Sequence, residues 1–265
     1  MSAATSHAPT PPLRGRSVRL RIKRQAAPDA PVRWEDFEVP YRPGMNVIVA
    51  LLDIAERPVT TQGAPTSGVA YDANCLEEIC GSCAMVINGR PRPACSTLID
   101  KVLPDLNQPL VLEPLSKFPV VRDLAVNRER LFNDLKRVKA WIPIDGTYDL
   151  GAGPREGQAT QEAAYPLSRC ISCGNCLEVC PQYNEDTGFV GAAVISQVRL
   201  FNLHPTGALN AHERLEALTG PGGIQQCGFA QNCVKVCPKD IPLTDSIAIV
   251  GRQVLAHTVG RSVRG

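Results

Sequence analysis

Hydrophobic and polar positions alternate strictly where the pattern first becomes regular. Val18, Leu20 and Ile22 alternate with Arg19, Arg21 and Lys23, the period-two signature of a strand with one wet face. Phe37, Val39 and Tyr41 repeat the alternation, so the two runs predict a hairpin. Pro43-Gly44 supplies a turn, and Asn46 stands where it can cap a helix whose apolar positions are Val47, Ala50, Leu51 and Ile54. Strand, strand, helix is the opening of a small β-grasp domain. Met85-Val86-Ile87 then runs into Asn88-Gly89, a type I′ hairpin signal. Leu110-Val111-Leu112 predicts the strand that finishes this half.

The second half carries a helical period. Leu131, Leu135, Val138 and Ile142 share one face of a helix predicted from Arg128 to Ile142 and stopped by Pro143. A second helix is predicted from Gly188 to Leu203, ended by His204-Pro205, and a short one from Glu213 to Leu218. A last helix spans Pro242 to Val259, with Leu243, Ile247, Val250 and Val254 on one face. Residues 143–166 are Gly- and Pro-rich and predict a surface loop. Residues 1–13 lack an apolar period and predict a disordered tail. The expected fold class is α+β, with an N-terminal sheet domain over 14–125 and a helical domain over 126–265.

Composition narrows the function classes. With 265 residues and 44% hydrophobic content the chain can bury a sizeable core. A net charge of +2 without a dense basic stripe argues against nucleic acid as a partner. Apolar runs such as Val47 to Leu52 are far too short to span a bilayer, and no export signal is present. Arg14, Arg16, Arg19 and Arg21 precede the first acid, Asp29, and read as a flexible tail leading into a basic strand rather than a transit peptide. Eleven cysteines in such a chain point to metal binding rather than to a disulfide framework.

The cysteines fall into three groups. Cys75-x4-Cys80-x2-Cys83, closed by Cys95, follows the plant-type spacing for a [2Fe–2S] cluster, with small Gly81 and Ser82 placed to let backbone N–H groups approach the sulfurs. The alternative is a four-cysteine zinc site, which usually takes two C-x2-C knuckles where only one is present here. Cys170-x2-Cys173-x2-Cys176-x3-Cys180-Pro181 has bacterial-ferredoxin spacing, in which the fourth cysteine serves the neighbouring cluster. The third group, Cys227, Cys233 and Cys237-Pro238, repeats that run with Ala230 where the second ligand belongs. The crossed rule assigns Cys170, Cys173, Cys176 and Cys237 to a [4Fe–4S] cluster. It leaves Cys180, Cys227 and Cys233 for a [3Fe–4S] cluster, or for a cubane with another ligand at its open corner.

With these groups in place the chain resembles, over nearly its whole length, the iron–sulfur subunit of succinate dehydrogenase and fumarate reductase (respiratory complex II). The resemblance is carried by Gly44-Met45-Asn46-Val47, the Cys75–Cys95 loop, Leu112-Glu113-Pro114-Leu115, Phe118-Pro119-Val120-Val121-Arg122-Asp123-Leu124 and both later cysteine groups. Ile195-Ser196-Gln197-Val198-Arg199-Leu200-Phe201-Asn202 and His204-Pro205-Thr206-Gly207 look closest to the Gram-positive succinate:menaquinone branch. The resemblance implies an N-terminal plant-type ferredoxin domain and a C-terminal bacterial-ferredoxin-like domain. It implies a flavoprotein partner with FAD, a membrane anchor often carrying haem b, and an electron path from FAD through [2Fe–2S], [4Fe–4S] and [3Fe–4S] to quinone in the anchor. It places the subunit on the cytoplasmic face of the membrane. In the mitochondrial-like branch a tryptophan follows the cysteine-proline and a histidine follows the first cysteine of the third group. Here Tyr183-Asn184-Glu185 and Gly228 stand there, which favours a quinone site mostly inside the anchor.

Other residue types predict little chemistry. His7, His204, His212 and His257 lack metal spacing and predict surface or capping roles. Trp34 and Trp141 predict core or interface positions, and Lys239 a solvated charge. No phosphate loop or catalytic constellation appears, so the chain reads as an electron wire without its own substrate site. The alternatives are a fumarate reductase subunit and a free-standing soluble multi-cluster ferredoxin.

Overall fold

The computed structural model describes residues 17–142 and 154–264. The tail expected at 1–13 and the expected loop from 143 to 153 lie outside them. The first half is a five-stranded sheet in the order β2-β1-β5-β3-β4, from β1 (Ser17–Arg24), β2 (Arg33–Pro40), β3 (Ala84–Ile87), β4 (Arg90–Pro93) and β5 (Leu110–Glu113). The β1–β2 hairpin pairs antiparallel from Ser17↔Pro40 to Arg24↔Arg33. Val18, Leu20 and Ile22 face the core, as their alternation requires. The Asn88-Gly89 turn has positive φ at both residues, 48° and 72°, as a type I′ turn demands. β5 joins parallel to β1 and antiparallel to β3, so the latest strand of this sheet runs through its middle.

Helix α1 (Val47–Glu56) lies on the sheet with Val47, Ile48, Ala50, Leu51 and Ile54 buried. Each large apolar side chain so buried contributes about 1.5–3 kcal/mol. Asn46 caps it, its side-chain oxygen accepting from Val49 N–H at 2.9 Å. A one-turn helix α2 (Ile99–Val102) precedes β5. A small hairpin, β6 (Val120–Arg122) with β7 (Ala125–Val126), follows it and was not expected. Arg24 ties this corner together from a fully buried position. It meets Asp123 at 3.0 Å and Glu35 at 2.5 Å, and donates to the Ser67 and Gly68 carbonyls.

The second half is helical: α3 (Glu129–Arg137), α4 (Gln158–Ser168), α5 (Asn175–Glu178), α6 (Ala192–Leu203), α7 (Pro205–Ala208), α8 (Ala211–Glu216), α9 (Asn232–Lys235) and α10 (Leu243–Arg264). Val194, Ile195 and Val198 of α6 and Leu243, Ile247, Val250 and Val254 of α10 belong to its core. Five helices differ from expectation. α3 ends at Arg137 rather than Ile142, because Lys139 turns to φ 51° and buried Arg214 takes the Lys139 and Trp141 carbonyls at 3.0 and 2.7 Å. α4 replaces part of the loop expected over 143–166; its glutamines and alanines form a helix that packs on α6 despite Pro166 within it. α6 starts at Ala192 because Gly191 sits at φ 87°, outside helical space. The short helix is shifted to Ala211–Glu216, and α10 runs five residues beyond Val259.

Two hydrophobic cores result, one under the sheet and one among the helices, and the second reaches back for Ala84, Leu115, Phe118 and Val126. Trp34 and Trp141 are about half exposed and so lie outside both cores. Lys239 is not simply solvated; it pairs with Glu78 of the sheet half at 3.7 Å. His204 caps α7 by accepting from Gly207 N–H at 3.3 Å, His257 pairs with Glu216, and His212 is exposed. Among the described residues no helix is long and apolar enough to cross a membrane.

Candidate iron–sulfur sites

The loop after Gly68 winds around its own cysteines. Leu76 and Glu78 both adopt left-handed backbone, φ 61° and 59°, which turns successive N–H groups to one side. Such a nest binds anionic groups. Its donors aim at sulfur: Ile79 and Cys80 N–H to Cys75 Sγ at 3.2 and 3.3 Å, and Glu78 N–H to Cys95 Sγ at 3.3 Å. Ser82 sets its hydroxyl 3.0 Å from Cys80 Sγ. That hydrogen bond, first among several, lowers the Cys80 thiol to about 6. Cys95 is pushed up to about 12 by burial and then by its neighbour Cys83. Gly81 has a further role beside the one its size suggested. At φ 71° its missing side chain leaves room for the Ile171 carbonyl, and an added Cβ would also stand 3.0 Å from Cys173 Cα.

The second and third groups are structural repeats of each other. Counting from Cys170, left-handed backbone occurs at Ser172 and Gly174, a four-residue helix begins at Asn175, and thiols follow at Cys176 and Cys180. Counting from Cys227, the same offsets give Phe229 and Gln231, a helix beginning at Asn232, then Cys233 and Cys237. The residue facing Cys173 in this repeat is Ala230, which is exposed. Helices α5 and α9 pack together, and Asn232 donates across to the Val179 carbonyl at 3.3 Å.

This packing exchanges the fourth thiols. Cys176 is buried and its thiol is pushed well up by burial first, then by Cys173, Cys170 and Cys237. Cys173 is raised to about 12 by burial, with Cys170 and Cys237 again the adjoining thiols. Cys227 and Cys233 are raised by burial, and the thiol beside both is Cys180. Cys180, Cys227 and Cys233 line one cavity with Phe189, Ala230 and Ile247. Among the described residues no three Cys, His, Asp or Glu side chains meet tightly enough to hold one metal ion. Cys180, Cys227 and Cys233 border a cavity, a donor set that suits a multi-iron cluster. Both side-chain polar atoms of buried Asn175, between Cys173 and Cys176, lack a protein partner. A sulfide-rich group among these thiols would give such an amide something to bond.

Just after the second group, Tyr183 is buried against Phe118, ring centroids 5.9 Å apart, with Arg130 over its face at 4.1 Å. An added Cβ at Gly228 would come within 3.0 Å of the Gln182 amide, so that space is occupied. Sequence reasoning missed the contacts that join the two halves. Arg128 donates to the Gly81, Ser82 and Cys173 carbonyls, and Arg90 to the Lys235 carbonyl. No spacing rule marks such a residue, because its partners lie far away in sequence.

Known proteins bear the same arrangement. Residues 19–133 match the model of the 2Fe-2S iron–sulfur cluster binding domain, and residues 166–241 that of the 4Fe-4S dicluster domain. The succinate dehydrogenase iron–sulfur subunit of Bacillus subtilis is 56% identical over 237 residues, 89% of this chain and 92% of that protein. The fumarate reductase iron–sulfur subunit of Wolinella succinogenes is 30% identical over 91% of this chain and 99% of its own length. A chain of the Mycobacterium smegmatis Sdh1 complex in the apo form shares the fold, with a TM-score of 0.75 at 24% identity over 90% of this chain and 95% of that one. Identity of this extent, spanning both halves and all three cysteine groups, makes the chain a member of the family of succinate dehydrogenase and fumarate reductase iron–sulfur subunits.

Proposed function

We propose that this chain is the electron-transfer subunit of a membrane-bound succinate:quinone oxidoreductase. Cys75, Cys80, Cys83 and Cys95 hold a [2Fe–2S] cluster, Cys170, Cys173, Cys176 and Cys237 a [4Fe–4S] cluster, and Cys180, Cys227 and Cys233 a [3Fe–4S] cluster. The observation that carries this reading is that Cys237 adjoins Cys170, Cys173 and Cys176 while Cys180 lines one cavity with Cys227 and Cys233, with Ala230 standing where the repeat asks for another cysteine. When bound, the clusters supply one-electron redox chemistry. The chain's own residues fix their spacing, keep water from Cys173, Cys176 and Cys233, and aim N–H groups at sulfur in the first group, which stabilises the more negative, reduced state there relative to burial without donors.

The two-unit division at 14–125 and 126–265 belongs to this reading. The partners are a flavoprotein with FAD and a membrane anchor of the kind that often carries haem b. The subunit then sits peripherally on the cytoplasmic face, with quinone reached through the anchor. Buried Tyr183 and the Gln182 side chain beside Gly228 support a quinone site away from this loop. Low-temperature EPR under redox titration of the whole complex tests the assignment. The expected spectrum holds an oxidised [3Fe–4S] signal and reduced [2Fe–2S] and [4Fe–4S] signals. Ala230→Cys restores the missing thiol, so it should abolish the oxidised [3Fe–4S] signal and add a second reduced cubane signal. A wild-type complex with cubane signals alone from the helical half would overturn the ligand set.

Fumarate reduction is the second reading, favoured by the similarity to a fumarate reductase subunit along nearly its whole length. The ratio of succinate-oxidation to fumarate-reduction rates in the purified complex separates the two.

A further inference from the structure

We propose that Arg128 is a positioning residue for electron transfer between the first two clusters, clamping the loop of Cys80 and Cys83 to the loop of Cys173. The inference rests on the ligand assignment above and goes beyond it, since Arg128 binds no cluster.

The geometry is specific. Arg128 projects from the link between β7 and α3, an element that belongs to neither cysteine loop. One guanidinium nitrogen donates to the Gly81 carbonyl at 2.7 Å and reaches the Cys173 carbonyl at 3.4 Å; the other donates to the Ser82 carbonyl at 3.3 Å. Gly81 and Ser82 are the two residues between Cys80 and Cys83, and Cys173 is itself in the second thiol group. The planar fork therefore spans both loops at their closest approach. The approach is close because Gly81 has no side chain: a Cβ there would run into the Ile171 carbonyl oxygen. Two loops meeting through carbonyl groups repel each other unless a donor lies between them. Arg128 is that donor, and its planar fork carries donors on more than one nitrogen.

Two consequences follow from one side chain. The fork holds the loops in contact, and the transfer it serves moves a single electron with no bond made or broken. The fixed positive charge also favours the reduced state on both sides of the contact. A methionine would keep the stem and lose both effects. A lysine would keep the charge and lose the fork.

The test is a redox titration by EPR on the complete complex carrying Arg128→Met or Arg128→Lys. In Arg128→Met the midpoint potentials of the [2Fe–2S] and [4Fe–4S] centres should both shift downward while that of the [3Fe–4S] centre stays put. The relaxation enhancement between the first two centres should weaken in the same variant. Arg128→Lys should recover the potentials and leave the relaxation enhancement weakened. Wild-type potentials and relaxation in Arg128→Met would overturn the proposal. So would loss of all three signals in both variants, which would make Arg128 a folding residue. The wild-type spectrum tests the ligand assignment independently, so the two ideas fail by different results.

Discussion

Asp134 lies largely buried on α3, where loss of water lifts its carboxyl from the ordinary 3.8 to about 6 against the pull of Arg130 and Arg137. Between those two values the folded chain keeps a proton that the unfolded chain has released. Stability therefore falls as pH rises through that window and stays lower above it. A shift of this size corresponds to a loss on the order of 3 kcal/mol. Asp134→Asn removes the titration, so the variant should gain denaturation midpoint over wild type at pH 8 and lose that advantage toward pH 4.5. An equal difference at both pH values would show that Asp134 carries no such cost. Arg24 shows the opposite case at the same scale. Its charge is buried with two carboxylates already around it, and removing it would strand Asp123 without its cation, a change that typically costs about 3–5 kcal/mol.

At the scale of the element, helix α1 is coupled to the first cysteine group through its cap. Asn46 accepts from Val49 N–H with its side-chain oxygen and donates with its amide nitrogen to the Cys95 carbonyl at 2.8 Å. Asn46 and Leu98 also form an isolated β-bridge. Asn46→Ala should cost about 1–2 kcal/mol for the cap, and about 1 kcal/mol more for the second hydrogen bond, read from denaturant midpoints. Asn46→Ser keeps a cap and is too short to reach Cys95. It should restore most of the stability but not the fraction of chains with a filled [2Fe–2S] site, measured by the visible absorption. Full recovery of both by serine would break the link between cap and cluster loop. Among the cysteine loops the repeated element is the loop with two left-handed residues leading into a helix of one turn. The same backbone serves twice, and of its four thiol positions only Cys173 lacks a counterpart, Ala230 standing in its place.

For the whole molecule, the sheet half and the helical half are joined where the cysteine loops meet. Gly81 against Ile171, Glu78 with Lys239 and Arg90 with Lys235 all lie at that seam. Exposed apolar side chains lie at two cysteine loops. Leu76 and Ile79 are 54% and 60% exposed beside the first group, and Phe229 is 68% exposed beside the third. Under the proposed function the first surface meets the flavoprotein and the second the anchor. Leu76→Asp with Ile79→Asp should reduce co-purification of the flavoprotein while sparing the anchor, and Phe229→Asp should do the reverse. Full recovery of both partners from both variants would remove these surfaces from the interfaces.

The sequence by itself determined every feature whose cause is local. Period-two burial placed β1 and β2, Asn-Gly placed the tight turn, Asn46 placed the start of α1, and cysteine spacing with Ala230 set the expectation for three clusters. These signals act over a few residues, so they survive without knowledge of what packs nearby. Tertiary structure alone decided the rest. β5 lies beside β1 across some ninety residues of sequence, α3 stops where Arg214 takes its carbonyls, and α4 forms where composition suggested a loop. Lys239 became a partner of Glu78, and Arg128 became the bridge between two cysteine loops. Each of these depends on groups brought together by packing, where burial and missing hydrogen-bond partners give a side chain a role that its neighbours in sequence do not encode.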